Sequence, residues 1–293
     1  MRVKMNHKRA VLLTAVLLSA AVGCSSGRAG RATGAGDRNL TGEKGRPSPE
    51  PAIHFKGFNW ADQRDNFVDG VLYVSGLTAS STYAEAQSLA GMVVGAWQGV
   101  GANTVRLPIN PPTVASPFWS IYKGVIDKAT EIGFKVILCP WTSKGGQEIE
   151  DMDKYWAMWN TVTADYGKNS FVYFELMNEV CYDPPAWRTI CASWLTRYAA
   201  IPNGRVIIPG CGTGGERKSN EMGAFHEFDG CLLAIHLYNP WDGKSGDPSY
   251  WYDLAAAQID PYSARTIVTE YGQSMNGSHD YMASSGKDPL VAY

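Results

Sequence analysis

Residues 103–139 read NTVRLPINPPTVASPFWSIYKGVIDKATEIGFKVILC, and this stretch decides the fold class. Two short apolar runs, residues 103–109 and 134–139, have the length of buried strands. Residues 118–132, between them, have the pattern of a helix. A strand, a helix and a second strand in that order predict a βαβ unit with parallel strands. The fold class is therefore predicted to be α/β.

The same alternation continues on both sides of this unit. Five further strands are predicted at residues 52–59, 171–177, 205–208, 231–237 and 266–270. Further helices are predicted at residues 89–100, 151–166 and 185–198. Seven strands that alternate with helices predict a (β/α)8 TIM barrel. Too few residues follow the last predicted strand for an eighth strand and its helix, so we expect a barrel truncated before the eighth strand.

Residues 1–51 are predicted to lie outside this fold. Residues 1–24 have a basic head and an uncharged apolar run, and they end in small residues before Cys24, which is typical of a bacterial signal peptide with a lipobox-like end. Cys24 is therefore predicted to carry a lipid anchor; the alternative is an ordinary signal peptide with a chance cysteine. Residues 25–51 are rich in Gly, Ser, Pro and Arg and predict a disordered linker. Residues 52–293 would then fold outside the cell, either lipid-anchored at the cell surface or secreted.

Charge excludes some classes of partner. The chain holds 26 Lys and Arg against 28 Asp and Glu, and residues 52–293 hold 17 basic and 25 acidic side chains. A net charge of about −8 on the folded part disfavours nucleic acid and anionic lipid as partners. The ten tryptophans suit a neutral, hydroxyl-rich ligand, because sugar C–H faces stack on indole rings. We expect a monomer that reaches a membrane only through Cys24.

Five cysteines lie in the predicted barrel. Many pairings are open, and because an exported protein can form disulfides, Cys181–Cys191 and Cys211–Cys231 are predicted as sequence-local pairs, with Cys139 left unpaired. The spacing of the cysteines fits no zinc pattern, and the chain has only five histidines. We therefore expect neither a metal nor a cofactor.

Two predicted strands end abruptly in a carboxylate. Residues 171–177 lead into Asn178-Glu179, and the last predicted strand ends in Glu270. In a barrel, the carboxyl ends of the strands face the active site. Hydrolysis of a glycoside needs two carboxyl groups on opposite sides of the anomeric carbon. We predict Glu179 as the general acid and base and Glu270 as the nucleophile; the alternative for Glu179 is a residue that merely begins a solvated loop.

Four more polar side chains are candidates to support these carboxylates. An Arg inside an apolar strand is rarely buried without a partner, so Arg106 is predicted to hold Glu270 ionised, unless it forms a structural salt bridge with another acid. His236 and Tyr238 alternate onto one face of the sixth strand and are predicted to contact the sugar and the nucleophile. The alternative is a hydrogen-bonded histidine near the core. Asn178 is predicted to bind a substrate hydroxyl.

Three tryptophans follow predicted strands directly. Trp60, Trp141 and Trp241 come just after strands one, three and six, where loops line the mouth of a barrel. We predict these three as platforms for sugar rings. Trp187 and Trp194 instead share the apolar face of a predicted helix and are assigned to the core.

The motifs Asn-Thr-Val-Arg-Leu-Pro, Met-Asn-Glu, His-Leu-Tyr and Thr-Glu-Tyr-Gly begin at residues 103, 177, 236 and 269. In this order, on strands two, four, six and seven, they resemble glycoside hydrolase family 5, the cellulase-like family of the clan with catalytic glutamates on strands four and seven. Gly57-Phe58-Asn59-Trp60 is similar to the first strand of that family. The resemblance implies that residues 52–293 are the catalytic (β/α)8 barrel of a retaining enzyme without a metal. It also implies the roles given above for Arg106, Asn178, Glu179, His236, Tyr238 and Glu270.

Three features depart from the family pattern. Cys139 ends the third strand, where many members have a His, and Val180 follows Asn-Glu where Pro is usual. The third difference is that no eighth strand is predicted. The expected function is hydrolysis of O-glycosidic bonds in an extracellular β-glycan, with endo-β-glucanase as the default and mannan, xylan or galactan as alternative substrates. The alternative from another class is a carbohydrate-binding surface lipoprotein with little or no catalysis, because the barrel is incomplete.

Overall fold

The computed structural model describes residues 15–16, 54–62, 69–141, 148–212, 217–238 and 248–272. Its strands are β1 (Ala15–Val16), β2 (Gly57–Asn59), β3 (Thr104–Ile109), β4 (Lys135–Pro140), β5 (Val172–Glu175), β6 (Val206–Pro209), β7 (Leu232–Tyr238) and β8 (Thr266–Gly272). They form one sheet in sequence order. Strands β2 to β8 are parallel to one another, and β1 pairs antiparallel with β2.

Helices lie between the parallel strands. They are α1 (Tyr83–Gly99), α2 (Pro111–Ala115), α3 (Phe118–Glu131), α4 (Met152–Tyr166), α5 (Pro184–Arg197), α6 (Ser219–Gly223) and α7 (Pro248–Ile259), with 3-10 turns at Asn203–Arg205, His226–Phe228 and Ser263–Arg265. Seven parallel strands with these helices form a nearly closed barrel that lacks, in the part of the chain described, the eighth unit of a (β/α)8 fold. The predicted fold class is therefore confirmed.

Two predicted boundaries at the start of the barrel were wrong. Helix α1 begins at Tyr83 and not at residue 89, because Thr82 and Glu85 form a reciprocal capping box. The Thr82 side chain accepts a hydrogen bond from the Glu85 amide, while Glu85 Oε2 accepts one from the Thr82 amide at 2.7 Å. Of residues 54–59, the described part of the strand predicted at 52–59, β2 covers Gly57–Asn59.

The strands alternate between two environments, as period-two geometry requires. An apolar layer inside the barrel is contributed by six segments and consists of Phe55, Ile137, Tyr173, Ile207, Ala234 and Ile267. Residues next to these along the strands, such as Val136 and Phe174, belong instead to the main core with the helices. Two positions beyond Ile137, Tyr173 and Ala234, the same inward faces carry polar side chains and form the site described below.

The helices supply large aromatic side chains to the core around the barrel. Trp159 of α4 and Trp187 and Trp194 of α5 are fully buried. The rings of Trp159 and Trp194 pack edge to face with centroids 5.5 Å apart. Burial of a large apolar side chain contributes roughly 2–3 kcal/mol. The assignment of Trp187 and Trp194 to the core is confirmed.

A β-bulge interrupts the pairing of β7 with β8. Ile235 pairs with Val268, but the next residue of β7, His236, pairs with Glu270. Thr269 is thus the extra residue of β8. In a regular strand, Thr269 would face inward after Ile267; the bulge places Glu270 next to His236 instead.

The predicted disulfides do not form. Cys139, Cys181, Cys191, Cys211 and Cys231 are all free, and all except Cys181 are buried. Cys191, Cys211 and Cys231 pack as small apolar groups in the main core. Cys191 lies on the core face of α5, and Cys211 Sγ lies 3.7 Å from Met222 Sδ. Proximity in sequence did not bring the paired cysteines together.

The predicted signal peptide (residues 1–24, with Cys24) and linker (residues 25–51) lie outside the described residues except for Ala15–Val16, and both stay predictions. Within the described ranges, no helix is both long enough and apolar enough to cross a membrane.

Candidate active site

Five side chains meet one layer above the apolar interior, near the carboxyl ends of the strands. They are Arg106 of β3, Cys139 of β4, Glu175 of β5, His236 of β7 and Glu270 of β8. Each is buried, with at most 7% of its surface exposed. The carboxyl ends of parallel strands are where barrels hold their ligands, so this layer is the floor of a candidate active site.

The two predicted catalytic carboxylates lie together. One carboxylate oxygen of Glu179, one of Glu270 and a ring nitrogen of His236 all lie within 4.8 Å of one another. His236 Nδ1 is 3.5 Å from Glu179 Oε1 and 3.7 Å from Glu270 Oε2. The tertiary structure thus joins three residues that the sequence analysis selected from different strands.

Glu179 occupies an unusual backbone conformation. Its φ angle is 48°, in the left-handed region that residues other than glycine rarely adopt. Hydrogen bonds on both sides hold the turn: the Asn178 amide donates to the Pro140 carbonyl at 2.9 Å, and the Gly212 amide donates to the Val180 carbonyl at 3.1 Å. Strained residues fixed in this way are concentrated at functional sites, and the turn aims the Glu179 side chain toward His236.

Arg106 donates hydrogen bonds to side chains from several strands of the site. Its Nε donates to Glu175 Oε2 at 2.6 Å, and its Nη2 donates to Glu175 Oε1 at 3.0 Å. Its Nη1 donates to Glu270 Oε1 and, at 3.3 Å, to Asn59 Oδ1. Nη2 also donates to Asn178 Oδ1 at 2.9 Å. Arg106 thus contacts Glu270, and the alternative partner, another acid, is present as well; the role of Arg106 in holding Glu270 ionised stays a prediction.

The charge of Arg106 is strongly favoured in this position. Burial by itself would lower the pKa of Arg106, but the negative charges of its neighbours, with Cys139 first and then Glu175 and Glu270, outweigh burial and raise the pKa well above its ordinary value. Arg106 is therefore a permanent cation beside Glu270, and it favours the ionised form of that carboxylate.

The same three groups that meet at the site could also ligate a metal. Glu179, His236 and Glu270 offer two carboxylate oxygens and an imidazole nitrogen within the 4.8 Å span given above. That donor set suits several divalent ions. Each group also has a role in acid–base and nucleophilic chemistry without an ion, and the expectation that no metal is needed stays a prediction.

The aromatic predictions have different outcomes. Trp60 is only 5% exposed, its indole N–H donates to the Ser75 carbonyl at 3.2 Å, and its ring packs edge to face on Trp97. The prediction of a sugar platform at Trp60 was wrong, because α1 covers the ring. Trp141 is partly exposed and lines a cavity of about 200 Å³ together with Pro140 and Met177. Trp241 and the side chain of Tyr238 lie outside the described part of the chain.

Sequence reasoning missed Glu175, Asn59 and Cys139 as partners of Arg106. Glu175 could have been found, because it is two positions after Tyr173 in a strand whose side chains alternate. Asn59 Nδ2 also reaches the Thr269 carbonyl at 3.5 Å, which links β2 to β8 across the barrel. That long-range contact has no signal in the local sequence.

Comparison with known proteins places the chain among glycan-degrading enzymes. Residues 75–288 match the family described as Cellulase (glycosyl hydrolase family 5). No curated protein sequence matches the chain. A complex of an endocellulase from Pyrococcus horikoshii with cellotetraose is similar at 16% identity and a TM-score of 0.51, over 82% of this chain and 78% of that one.

Two further solved structures show similar values. A second cellotetraose complex of the Pyrococcus horikoshii endocellulase has 14% identity and a TM-score of 0.50, over 76% of both chains. The catalytic domain of alkaline cellulase K has 14% identity and a TM-score of 0.50, over 67% of this chain and 63% of that one. At these identities the structural likeness shows the barrel fold alone.

Proposed function

The chain belongs to glycosyl hydrolase family 5, and from this premise we propose that it hydrolyses a β-glycan with retention of configuration. The proposal rests on one observation. Oxygens of Glu179 and Glu270 lie within 4.8 Å of one another. Retaining enzymes separate their carboxyl groups by about 5 Å, whereas inverting enzymes need roughly 6.5–9.5 Å to admit a water molecule.

In the first step, Glu270 attacks the anomeric carbon while Glu179 donates its proton to the departing glycosidic oxygen. The C–O bond breaks, and a covalent glycosyl ester with Glu270 forms. In the second step, Glu179 accepts a proton from a water molecule that attacks the same carbon, which releases the sugar and regenerates both carboxyl groups. Arg106 holds Glu270 ionised and oriented for the attack.

The remaining site residues are proposed to bind the substrate. The Asn178 side-chain oxygen accepts from Arg106, so its amide group is directed to donate to a sugar hydroxyl. His236 lies between the two carboxylates and would contact the sugar ring at the point of cleavage. Trp141, Trp241 and Tyr238 are proposed as further contacts, with Trp141 facing the cavity beside Met177.

We propose a β-1,4-glucan as the default substrate. The similar Pyrococcus horikoshii endocellulase binds cellotetraose, and the acidic charge of residues 52–293 suits an uncharged polymer. Mannan, xylan and galactan are the alternatives. The enzyme is proposed to act outside the cell, with acylation at Cys24; mass analysis of membrane-bound protein, with Cys24→Ser as the control, tests that anchor.

The deciding experiment is release of reducing ends by the full chain on cellulose, mixed-linkage glucan, mannan, xylan and galactan. Activity on one polymer should fall by at least about 10³-fold in Glu270→Gln, because the amide cannot form the glycosyl ester. Glu131→Gln, an exposed change at the end of α3, is the matched control and should keep full activity. Proton NMR of the first product should show the β-anomer; an initial α-anomer would contradict retention.

A second function is proposed because the described strands end at β8, without the eighth unit of a (β/α)8 barrel. A carbohydrate-binding protein with little catalysis would bind one of the same polymers without release of reducing ends. Affinity that survives in Glu270→Gln, together with an inactive wild type, would favour this second function.

A further inference from the structure

Glu175 is a fully buried acid that takes no part in the steps above. It ends β5 and accepts two hydrogen bonds from Arg106, from Nε at 2.6 Å and from Nη2 at 3.0 Å. This side-on, two-bond contact fixes the plane of a guanidinium group as well as its position.

The opposite side of the same guanidinium group serves the catalytic residues. Nη1 donates to Glu270, and Nη2 donates to Asn178 Oδ1 at 2.9 Å. One buried cation is therefore shared between two carboxylates, Glu175 and Glu270. Electrostatic interactions are strong in a buried site. The negative charge of Glu175 therefore offsets part of the Arg106 charge and weakens the attraction between Arg106 and Glu270.

We propose, on the basis of the function proposed above, that Glu175 is a positioning residue for the nucleophile. It holds the Arg106 plane so that Nη1 meets Glu270 and Nη2 meets Asn178. It also neutralises part of the Arg106 charge, so that Glu270 stays a strong enough nucleophile to attack the anomeric carbon. Glu175 lies four positions before Glu179, so one short segment of chain would supply both the acid and the support of the nucleophile.

The Glu175→Gln variant separates this role from simple packing. Gln has nearly the same shape, but its amide offers one acceptor and one donor, so it keeps at most one of the two Arg106 hydrogen bonds. The full Arg106 charge would then act on Glu270. The titration of Glu270 should move to lower pH, and kcat should fall by about 10²-fold through misplacement and weaker nucleophilicity.

Among the described residues, the charged and titratable groups near Glu270 are Arg106, Glu179 and His236. Cys139 and Glu175 contact Arg106 on its other bonds. Glu131→Gln supplies the control, because it removes an exposed carboxylate whose described ion pair is with Lys128 and not with Arg106. In that variant both kcat and the titration of Glu270 should stay in place.

The experiment follows Glu270 directly by ¹³C NMR in full-length protein labelled at the glutamate carboxyl carbons, with the signal assigned by its loss in Glu270→Gln. The expected result is a lower titration midpoint in Glu175→Gln and an unchanged midpoint in Glu131→Gln. An unchanged midpoint in Glu175→Gln with a wild-type circular dichroism spectrum would overturn the proposal.

Glu175→Asp covers the case in which Glu175→Gln does not fold. It keeps the negative charge but shortens the side chain, so the midpoint should stay near the wild-type value while kcat falls; a displaced midpoint would overturn the charge-sharing role. The NMR titration needs no turnover. A wild type that hydrolyses no glycan would therefore defeat the proposed function and leave the positioning of Glu270 by Glu175 open to the same measurement.

Discussion

At the scale of single residues, a carboxylate acquires its role from its neighbours. Glu175, Glu179 and Glu270 have the same side chain, yet Glu175 accepts two hydrogen bonds from Arg106 and is fully buried. Glu270 shares Arg106 and lies beside His236, which suits an ionised nucleophile. Glu179 is the most exposed of the three and has no Arg106 contact among the described hydrogen bonds, which suits a group that exchanges protons with water.

The first prediction concerns Glu179. In Glu179→Ala, hydrolysis of the polymer should fall by about 10²–10⁴-fold, because the leaving oxygen is no longer protonated. An aryl glycoside with a weakly basic leaving group should still form the glycosyl ester, and azide should then replace water and release a β-glycosyl azide. Product analysis by mass spectrometry and NMR checks this. If azide gave neither acceleration nor a β-azide, Glu179 would not be the acid and base.

At the scale of elements, close backbone contacts place the first strand of the barrel. At Gly57, an added Cβ atom would lie 1.8 Å from the Thr104 carbonyl oxygen, so only glycine fits where β2 pairs with β3. Two residues later, Asn59 reaches both Arg106 and the Thr269 carbonyl. A glycine with no side chain of its own therefore sets the position of an amide in the candidate active site.

The second prediction follows from that contact. Gly57→Ala should lower the free energy of unfolding by roughly 1–3 kcal/mol, because the strands must separate to admit the methyl group. Gly95→Ala is the matched control: Gly95 lies in α1 with nothing within 4 Å of the added Cβ, so it should gain about 0.5–1 kcal/mol. Urea unfolding of the two variants measures both changes. Equal effects at the two sites would show that the close approach at Gly57 is unimportant.

At the scale of the whole molecule, buried thiol and phenol groups limit the stability of the barrel at alkaline pH. Burial raises the pKa of Cys211 and of Cys231 to about 12, and it also raises the pKa values of the buried Tyr155 and Tyr166. These groups are neutral in the folded protein. The unfolded chain ionises its cysteines at about pH 9, so the folded state loses relative stability as pH rises from there.

The third prediction is a steep alkaline loss of stability. Below pH 9 the thiols are protonated in both states, and their full contribution is present; between about pH 9 and 12 each of Cys211 and Cys231 should cost up to roughly 1.4 kcal/mol per pH unit. Urea unfolding at stepwise pH values measures the slope of the free energy of unfolding against pH. Cys211→Ala should reduce the slope whatever its stability at pH 7. Equal slopes in the wild type and in Cys211→Ala would contradict the account.

Local patterns in the sequence were sufficient for the α/β class and the parallel strands, and they selected Glu179, Glu270 and Arg106 as candidates. Each of these depends on short-range periodicity and on charged side chains at the ends of apolar strands, which are properties of neighbouring residues. The tertiary structure alone decided which distant groups meet. The bulge at Thr269 places Glu270 beside His236, Glu175 contacts one side of Arg106, α1 buries Trp60, and the five described cysteines are free. These outcomes depend on strand register and on packing between segments far apart in the chain, where local propensity carries no information.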